Sequence, residues 1–369
     1  MNTEKTKIMV FRKGGILPRN LSFFLNNIKL EIVNKFSYLG IVFTSGRSFS
    51  EAQKTLAGQA QKAIFKLKKY LYTFVNISPK HTLELFDKLV TPILNYSCEV
   101  WGFCAANQIE RIHTKFCKHL LGLKISTQND FIYGELGRIN YYSRRLFCCI
   151  KYWLKVIKSD NRKYISITYK LLLSDMEQWP NKTNWATLIK TTLGNLGFYH
   201  VLLEQGVGNE PRFLSFLKQR LKDNFIKNWN ERLEASSRAL FYRVIANFSF
   251  QPYLEIVTIA KFRVALSRLR TSSHRLVIET GRWKKPNKVP IVDRKCQICN
   301  KLEDEHHFLT ECVSYKDLRK TLIKLYFHKK PSMFKTIELV KSENTQILRK
   351  LAMYTFKAFE QHKLINQDN

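Results

Sequence analysis

Four side chains inside one short segment constrain this chain more tightly than any other feature of its sequence. Cys296-Gln297-Ile298-Cys299, then His307, then Cys312 spell C-x2-C-x7-H-x4-C. Two cysteines two residues apart form a tight turn that presents both sulfurs to one point. A histidine and a third cysteine then complete a tetrahedral set of three thiolates and one imidazole, which is the ligand set of structural Zn2+. Spacing alone leaves open whether His306 or His307 supplies the nitrogen. Glu303, Asp304 and Glu305 add negative potential beside the motif and are not needed as ligands. The competing reading is a chance meeting of reduced cysteines and a histidine. Four protein ligands leave no open coordination position, so the expected site is structural or faces nucleic acid, and hydrolytic chemistry is not expected. The remaining cysteines, at 98, 104, 117, 148 and 149, are scattered. That is not the dense usage of a secreted disulfide scaffold, so the expected location is a reducing compartment, the nucleus or cytoplasm.

Charge comes next, because it limits the partners. Lys and Arg total 62 against 29 Asp and Glu, a formal +33 in 369 residues. Hydrophobic residues make up 45% and aromatics 13%, so this is a core-forming chain of two or three domains and not a disordered basic tail. A folded chain this basic repels itself unless a polyanion neutralises it, and nucleic acid is the commonest such partner. A ribosomal or chromatin-type binder and a protein of anionic membrane surfaces are the competing readings. No membrane partner is expected. The apolar run Ile8 to Phe11 is too short for a signal-peptide core. The best apolar stretch, 89–106, is broken by Pro92, Asn95 and Glu99.

The pattern along the chain predicts a mainly α fold. Residues 1–45 read as short strands (KIMVF, IKLEIV and FSYLGIVF) punctuated by Gly14-Gly15, Pro18 and Asn26-Asn27. After Ser45-Gly46 the period becomes helical: Leu56, Ala60, Ala63, Leu67, Leu71 and Phe74 recur three and four apart. Lys62, Lys66 and Lys69 fall on the opposite side, as a solvated rim or as a face that tracks phosphates. Helices are expected over 79–98 (kinked at Pro92), 107–122, 141–158, 163–175, 183–203, 211–234 and 236–247. In 211–234 the stripe Phe213, Phe216, Leu217, Leu221, Phe225, Trp229, Leu233 reads as core and not as a base-stacking platform. Residues 206–211 look like an interior loop, and 281–295 like a basic linker. The expected organisation is 1–45 residual strands, 46–160 a helical domain, 161–280 a helical basic region, 281–320 linker and zinc module, and 321–369 a helical tail.

Around residue 261 the sequence reads KFRVALSRLRTSSHR. On a helix, at about 100° per residue, Phe262, Ala265, Leu266 and Leu269 share an arc. Lys261 and Arg268 flank one edge of it, Arg263 and Arg270 the other. Such side chains bury their stems beside the core and hold their charges outward. Arginine forks suit phosphate oxygens, so contact with a nucleic-acid backbone is expected here.

Catalytic machinery is expected to be missing. Two-metal phosphoryl transfer needs clustered carboxylates to hold Mg2+. The nine aspartates all stand singly, with no Asp-Asp pair. There is no G-x-x-x-x-G-K-[ST] loop and no G-x-S-x-G elbow, and Gly194 and Gly197 lack the third glycine of a dinucleotide loop. His113, His119, His200 and His274 have no evident Cys or Ser partner. No activity on its own, no Mg2+ site and no small-molecule substrate are therefore expected.

Several short runs, in order, resemble the C-terminal part of non-LTR (LINE-type) retrotransposon reverse transcriptases. Asn2-Thr3-Glu4-Lys5-Thr6, leading into Lys7 to Phe11, resembles the motif D stretch after the catalytic loop. Phe36-Ser37-Tyr38-Leu39-Gly40 resembles the turn at the primer grip. Thr91-Pro92-Ile93-Leu94-Asn95-Tyr96 with Glu99-Val100-Trp101-Gly102 is similar to the thumb-side helix, and Phe131 to Arg138 to a run downstream of it. Arg270 to His274, Ile278 to Arg282 and the E-D-E-x-H-F-L run resemble the tail of invertebrate elements.

The resemblance implies a helical thumb-like bundle with a small N-terminal β element left from the palm and a small C-terminal zinc-binding module. It also implies that His307, which precedes Phe308-Leu309, is the ligand of a structural zinc. The implied partner is RNA or an RNA–DNA hybrid, with the thumb helices tracking phosphates and the zinc module holding template. The family's endonuclease, fingers and Ala-Asp-Asp palm would all precede residue 1, and Met1 stands where Val or Ile is usual. That implies an element truncated at its 5′ end or a partial gene model, in which Lys5, a candidate proton donor in the family, serves no active site. A polymerase fragment that acts only with the missing palm, and a co-opted helical interaction protein, are the alternatives.

Overall fold

The change of period near Gly46 is where strands give way to helices. A computed structural model describes residues 6–12, 14–18, 20–73, 77–284 and 286–365. Ahead of Gly46 stand β1 (Lys7–Ile8), β2 (Phe23–Leu25), β3 (Ile28–Ile32), β4 (Lys35–Tyr38) and β5 (Ile41–Thr44). β3 pairs in parallel with β1 and antiparallel with β2, giving the order β1-β3-β2, and β4 and β5 form a separate hairpin. Strand β2 was not expected. Its three residues are too few to show alternation, and the signal lay in the Asn26-Asn27 turn beside them. Both asparagines have positive φ, 48° and 60°, as a two-residue hairpin turn requires.

The rest is helical, as the apolar spacing predicts. The helices of seven residues or more are α1 (Ser50–Thr73), α2 (Pro79–Leu89), α3 (Asn107–Leu120), α4 (Asn129–Glu135), α5 (Tyr141–Ile157), α6 (Tyr164–Gln178), α7 (Trp185–Asn195), α8 (Glu210–Ala235), α9 (Ala260–Arg270), α10 (Lys316–Leu322), α11 (Met333–Lys341) and α12 (Thr345–Ile365). Asn140, Asn184 and Ser332 cap α5, α7 and α11 by accepting from backbone N–H groups of the first turn.

Three expected helices are broken. After α2 the chain makes two single turns, Thr91–Leu94 and Cys98–Trp101. Pro92 sits in the first turn of one, where its missing N–H costs nothing, and Ser97 turns left-handed (φ 50°) before the other. The helix expected over 183–203 stops at Gly197 (φ 78°) and resumes at Tyr199–Leu203. Over 236–247 only Tyr242–Ile245 is helical. Within α8, Phe213, Leu217, Leu221, Phe225, Trp229 and Leu233 are buried, but Phe216 is 53% exposed and does not belong to the core stripe. Phe74 lies outside the described residues.

The chain folds into two compact units. One comprises Met1–Tyr70, Leu85–His113 and Asn140–Asn224; the other comprises Leu71–Glu84, Thr114–Ile139 and Phe225–Asn369. In the first unit Trp153, Leu154, Ile189, Leu193 and Leu217 are fully buried together. Trp153 donates to the Tyr169 hydroxyl (2.8 Å), and Tyr169 to Gln205 (2.9 Å), so the polar edges of this core are satisfied. In the second unit Trp229 donates to the Asp130 carbonyl (2.7 Å) and Tyr242 to the Phe131 carbonyl (3.0 Å). Both rings close over Gly134, where even a methyl side chain would collide with the Tyr242 hydroxyl and the Trp229 indole. The segment expected as a zinc module and the tail after it belong to this same unit.

Candidate metal centre and basic surfaces

The metal motif is built from two local turns. An antiparallel bridge pairs Lys295 with Leu302, and the Cys296 N–H donates to the Lys301 carbonyl (2.7 Å). Asn300, at φ 52°, closes the loop that carries Cys296 and Cys299. His307–Glu311 is a single π-helical turn, and the Cys312 N–H returns to the His307 carbonyl (2.9 Å). The ligand atoms of Cys296, Cys299, His307 and Cys312 come within 4.8 Å of one another and could hold a metal ion. The Cys296–Cys312 and Cys299–Cys312 sulfurs are 3.9 and 3.8 Å apart. Two thiolates on one tetrahedral ion, each about 2.3 Å from it, would stand about 3.8 Å apart.

Two further observations fit an ion at this point. His307 Nε2 is buried with no hydrogen-bond partner, and an unmet buried polar atom costs roughly 1–3 kcal/mol. Its other nitrogen, Nδ1, lies 3.5 Å from the Glu311 carboxylate, the kind of contact that orients a ligating imidazole. Burial pushes the Cys312 thiol up to about 12, with Cys296 and Cys299 adding to the rise, whereas a bound cation would favour the thiolate. His306 is engaged elsewhere, its Nδ1 2.7 Å from the Thr336 hydroxyl. Among the described residues no second group of three or more Cys, His, Asp or Glu gathers in this way.

The acidic run beside the motif proves to be a set of clamps, of which Glu303 and Glu305 are buried. Glu303 accepts from the Val277 N–H (2.7 Å) and meets His362 (3.1 Å). Asp304 accepts from the His307 N–H (2.8 Å). Glu305 takes Ser272 and His274, each at 2.9 Å. Burial alone would push the Glu305 carboxyl up, but the His274 and Ser272 contacts outweigh it and hold it down. Arg319 donates to the Leu309 and Cys312 carbonyls (2.9 and 2.7 Å), and Tyr354 to the Phe308 carbonyl (2.7 Å).

The expected phosphate contacts divide. Lys62, Lys66 and Lys69 are exposed on α1, opposite the buried Leu56, Ala60, Ile64 and Leu67. Phe65 stands among them at 72% exposed, and Tyr70 is exposed further along the same helix. Phe65 is out of phase with the apolar spacing of three and four, so periodicity alone gives no sign of it. On α9, Lys261 and Arg268 are exposed, with Arg268 Nε donating to the Gly122 carbonyl (2.7 Å). Arg263 is half-buried and turned to the Val257 and Thr258 carbonyls (2.8 and 3.2 Å). Arg270 must be withdrawn from the set. It is 2% exposed and grips Glu135 with two bonds of 2.9 and 3.0 Å, while also donating to Gln251 and to the Val340 carbonyl (both 2.8 Å). The helical wheel put it at the edge of the apolar arc, but the carboxylate that draws it inward comes from a distant segment. Asn2 and Lys5 lie outside the described residues.

The remaining short runs meet one another inside their own units. In the first, the Tyr96 hydroxyl donates to the Leu39 carbonyl (3.0 Å), across the turn where Leu39 and Gly40 have φ 47° and 80°. In the second, Glu135 meets Arg270, and Ser272 and His274 meet Glu305. No helix among the described residues is long and apolar enough to cross a membrane. No family model, curated protein or solved structure matches this chain.

Proposed function

We propose that this chain binds nucleic acid, RNA or an RNA–DNA hybrid, as the thumb-side and tail portion of a LINE-type reverse transcriptase. The observation that carries this reading is the exposed row Lys62, Lys66 and Lys69 with Phe65 among them, on a chain of net charge +33. Interleaved cations and an exposed ring suit a single strand, whose phosphates seek charge and whose bases stack on aromatics. The Cys296, Cys299, His307 and Cys312 group holds Zn2+ in a structural role, because four protein ligands fill its tetrahedron. The reverse-transcriptase origin rests on the ordered short runs.

Binding of this kind releases counterions, so affinity falls linearly on a log–log plot against salt, with a slope of about −0.7 per phosphate contact on single strands. Titration of single-stranded RNA, duplex and hybrid from low to high salt tests it, and affinity that ignores salt would refute it. Alone, the chain incorporates no nucleotide in primer extension, since its sequence offers no paired aspartates for two metal ions. Incorporation by the isolated chain would overturn that part.

A further inference from the structure

Next to the metal centre, in the same unit, a cavity of about 400 Å³ opens between α9 and α12. That volume lies in the roughly 300–1,000 Å³ range of small-molecule sites. Five cations line it, Lys124, Lys261, Arg268, Arg275 and Lys363, against one carboxylate, Glu360. Lys363 is the cation that Glu360 neutralises, at 2.5 Å. The Lys124 ammonium donates to the His274 carbonyl (2.7 Å) and feels the Glu279 carboxylate, and Arg268 donates to the Gly122 carbonyl (2.7 Å), so neither forms a salt bridge among the described residues. Arg275 is exposed at the rim. Burial and then repulsion from Arg275 outweigh the attraction of Glu279 and, with Arg268, pull the Lys124 ammonium below its usual range, as expected where cations crowd together. The two histidines in the lining, His274 and His362, turn to Glu305 and Glu303.

The apolar part of the lining is aromatic. Phe359 is fixed by stacking on Phe308 at 4.9 Å, and Phe356 by its contact with Phe262 at 5.4 Å. Lys261 Nζ lies 5.2 Å from the Phe356 ring centre, so cation and ring already stand side by side. A phosphate alone would use the cations and leave the rings idle, and an apolar ligand would do the reverse. A nucleotide uses both.

We propose that this cavity is a nucleoside-phosphate site, with phosphate oxygens on Lys124, Arg268 and Arg275 and the base against Phe356 and Phe359. The ligand is either one unstacked nucleotide of a single strand or a free nucleotide. Only the strand source rests on the nucleic-acid reading above. A duplex keeps its bases stacked and cannot offer one to the rings.

The test uses the metal-loaded full chain with three probes: AMP, inorganic phosphate, and a single-stranded RNA octamer carrying 5-bromouridine for photo-crosslinking. AMP and the octamer are expected to bind more tightly than phosphate. Arg275→Glu should weaken both by about tenfold, the loss of one charge-assisted contact. Phe356→Leu, which keeps most of the apolar volume, should weaken both by about fivefold or more. The octamer should crosslink at Phe356 or Phe359. Octamer binding that neither variant moves, with crosslinks elsewhere, would sink the site and leave the nucleic-acid reading standing. AMP binding that both variants weaken, with no octamer binding, would keep the site and end that reading. Phosphate binding as tight as AMP with Phe356→Leu silent would reduce the site to an anion hole and overturn the nucleotide assignment. No binding of any probe would end both.

Discussion

Lys261 and Arg270 share one helix and have opposite environments. Lys261 stands at the surface beside an aromatic ring, while Arg270 lies under the Tyr253 ring with its charge met by Glu135. A fully buried ion pair contributes little beyond what well-packed apolar residues would. Breaking it from one side strands the other charge, at a cost of about 3–5 kcal/mol. Arg270→Ala is therefore expected to destabilise the protein by that amount in urea unfolding, and Arg270→Met with Glu135→Gln by clearly less. Glu135→Asp tests the geometry, since a shorter side chain cannot reach both guanidinium nitrogens. If Arg270→Ala left stability unchanged and weakened RNA binding instead, the phosphate role would have to be restored.

At the scale of an element, α1 separates its two duties by face. One face is buried, and the other carries three lysines and Phe65 into solvent. The triple change Lys62→Glu, Lys66→Glu, Lys69→Glu should leave the melting temperature nearly unchanged, as exposed positions allow. It should also flatten the salt slope of single-strand binding by about 2, the sum of three phosphate contacts. Phe65→Ser should weaken single strands more than duplex.

The helix start has its own pH signature. Lys54, then Lys35 from β4, hold the Glu51 carboxyl down from 4.5 to about 2. A depressed folded-state value stabilises the fold fully above the ordinary carboxylate range and is lost as pH falls toward about 2. The difference in stability between wild type and Glu51→Gln should accordingly shrink between pH 4.5 and 2, and high salt should shrink it at every pH. An NMR titration placing Glu51 near 4.5 would count against the contact.

For the whole molecule, the segment that carries the candidate metal ligands ties sequence-distant parts of one unit together. Glu303 and Glu305 reach His362, Val277, Ser272 and His274, and Arg319 and Tyr354 hold the turn that bears His307 and Cys312. Zinc bound in the proposed structural role would contribute its binding free energy to folding, so stripping it should be felt well beyond residues 296–312. A strong chelator, or Cys299→Ser, is expected to raise hydrogen exchange across α9, α10 and α12. Cobalt loading should give thiolate-to-metal absorption that Cys312→Ser abolishes. Unchanged exchange after chelation would mean that no ion supports this unit.

Local chemistry was enough to specify much of this protein. Apolar residues three and four apart determine helices wherever one face must be buried. The spacing of Cys296, Cys299, His307 and Cys312 determines a ligand group, because turns this short leave the side chains few places to go. What spacing could not reach was any property set by a partner far along the chain. The inward turn of Arg270 depends on Glu135, 135 positions away along the chain. The cavity between α9 and α12 exists only because Lys124 and Arg275 are brought beside Phe356 and Phe359. Periodicity records which face of an element is apolar; which charges end up facing one another is decided when distant segments pack.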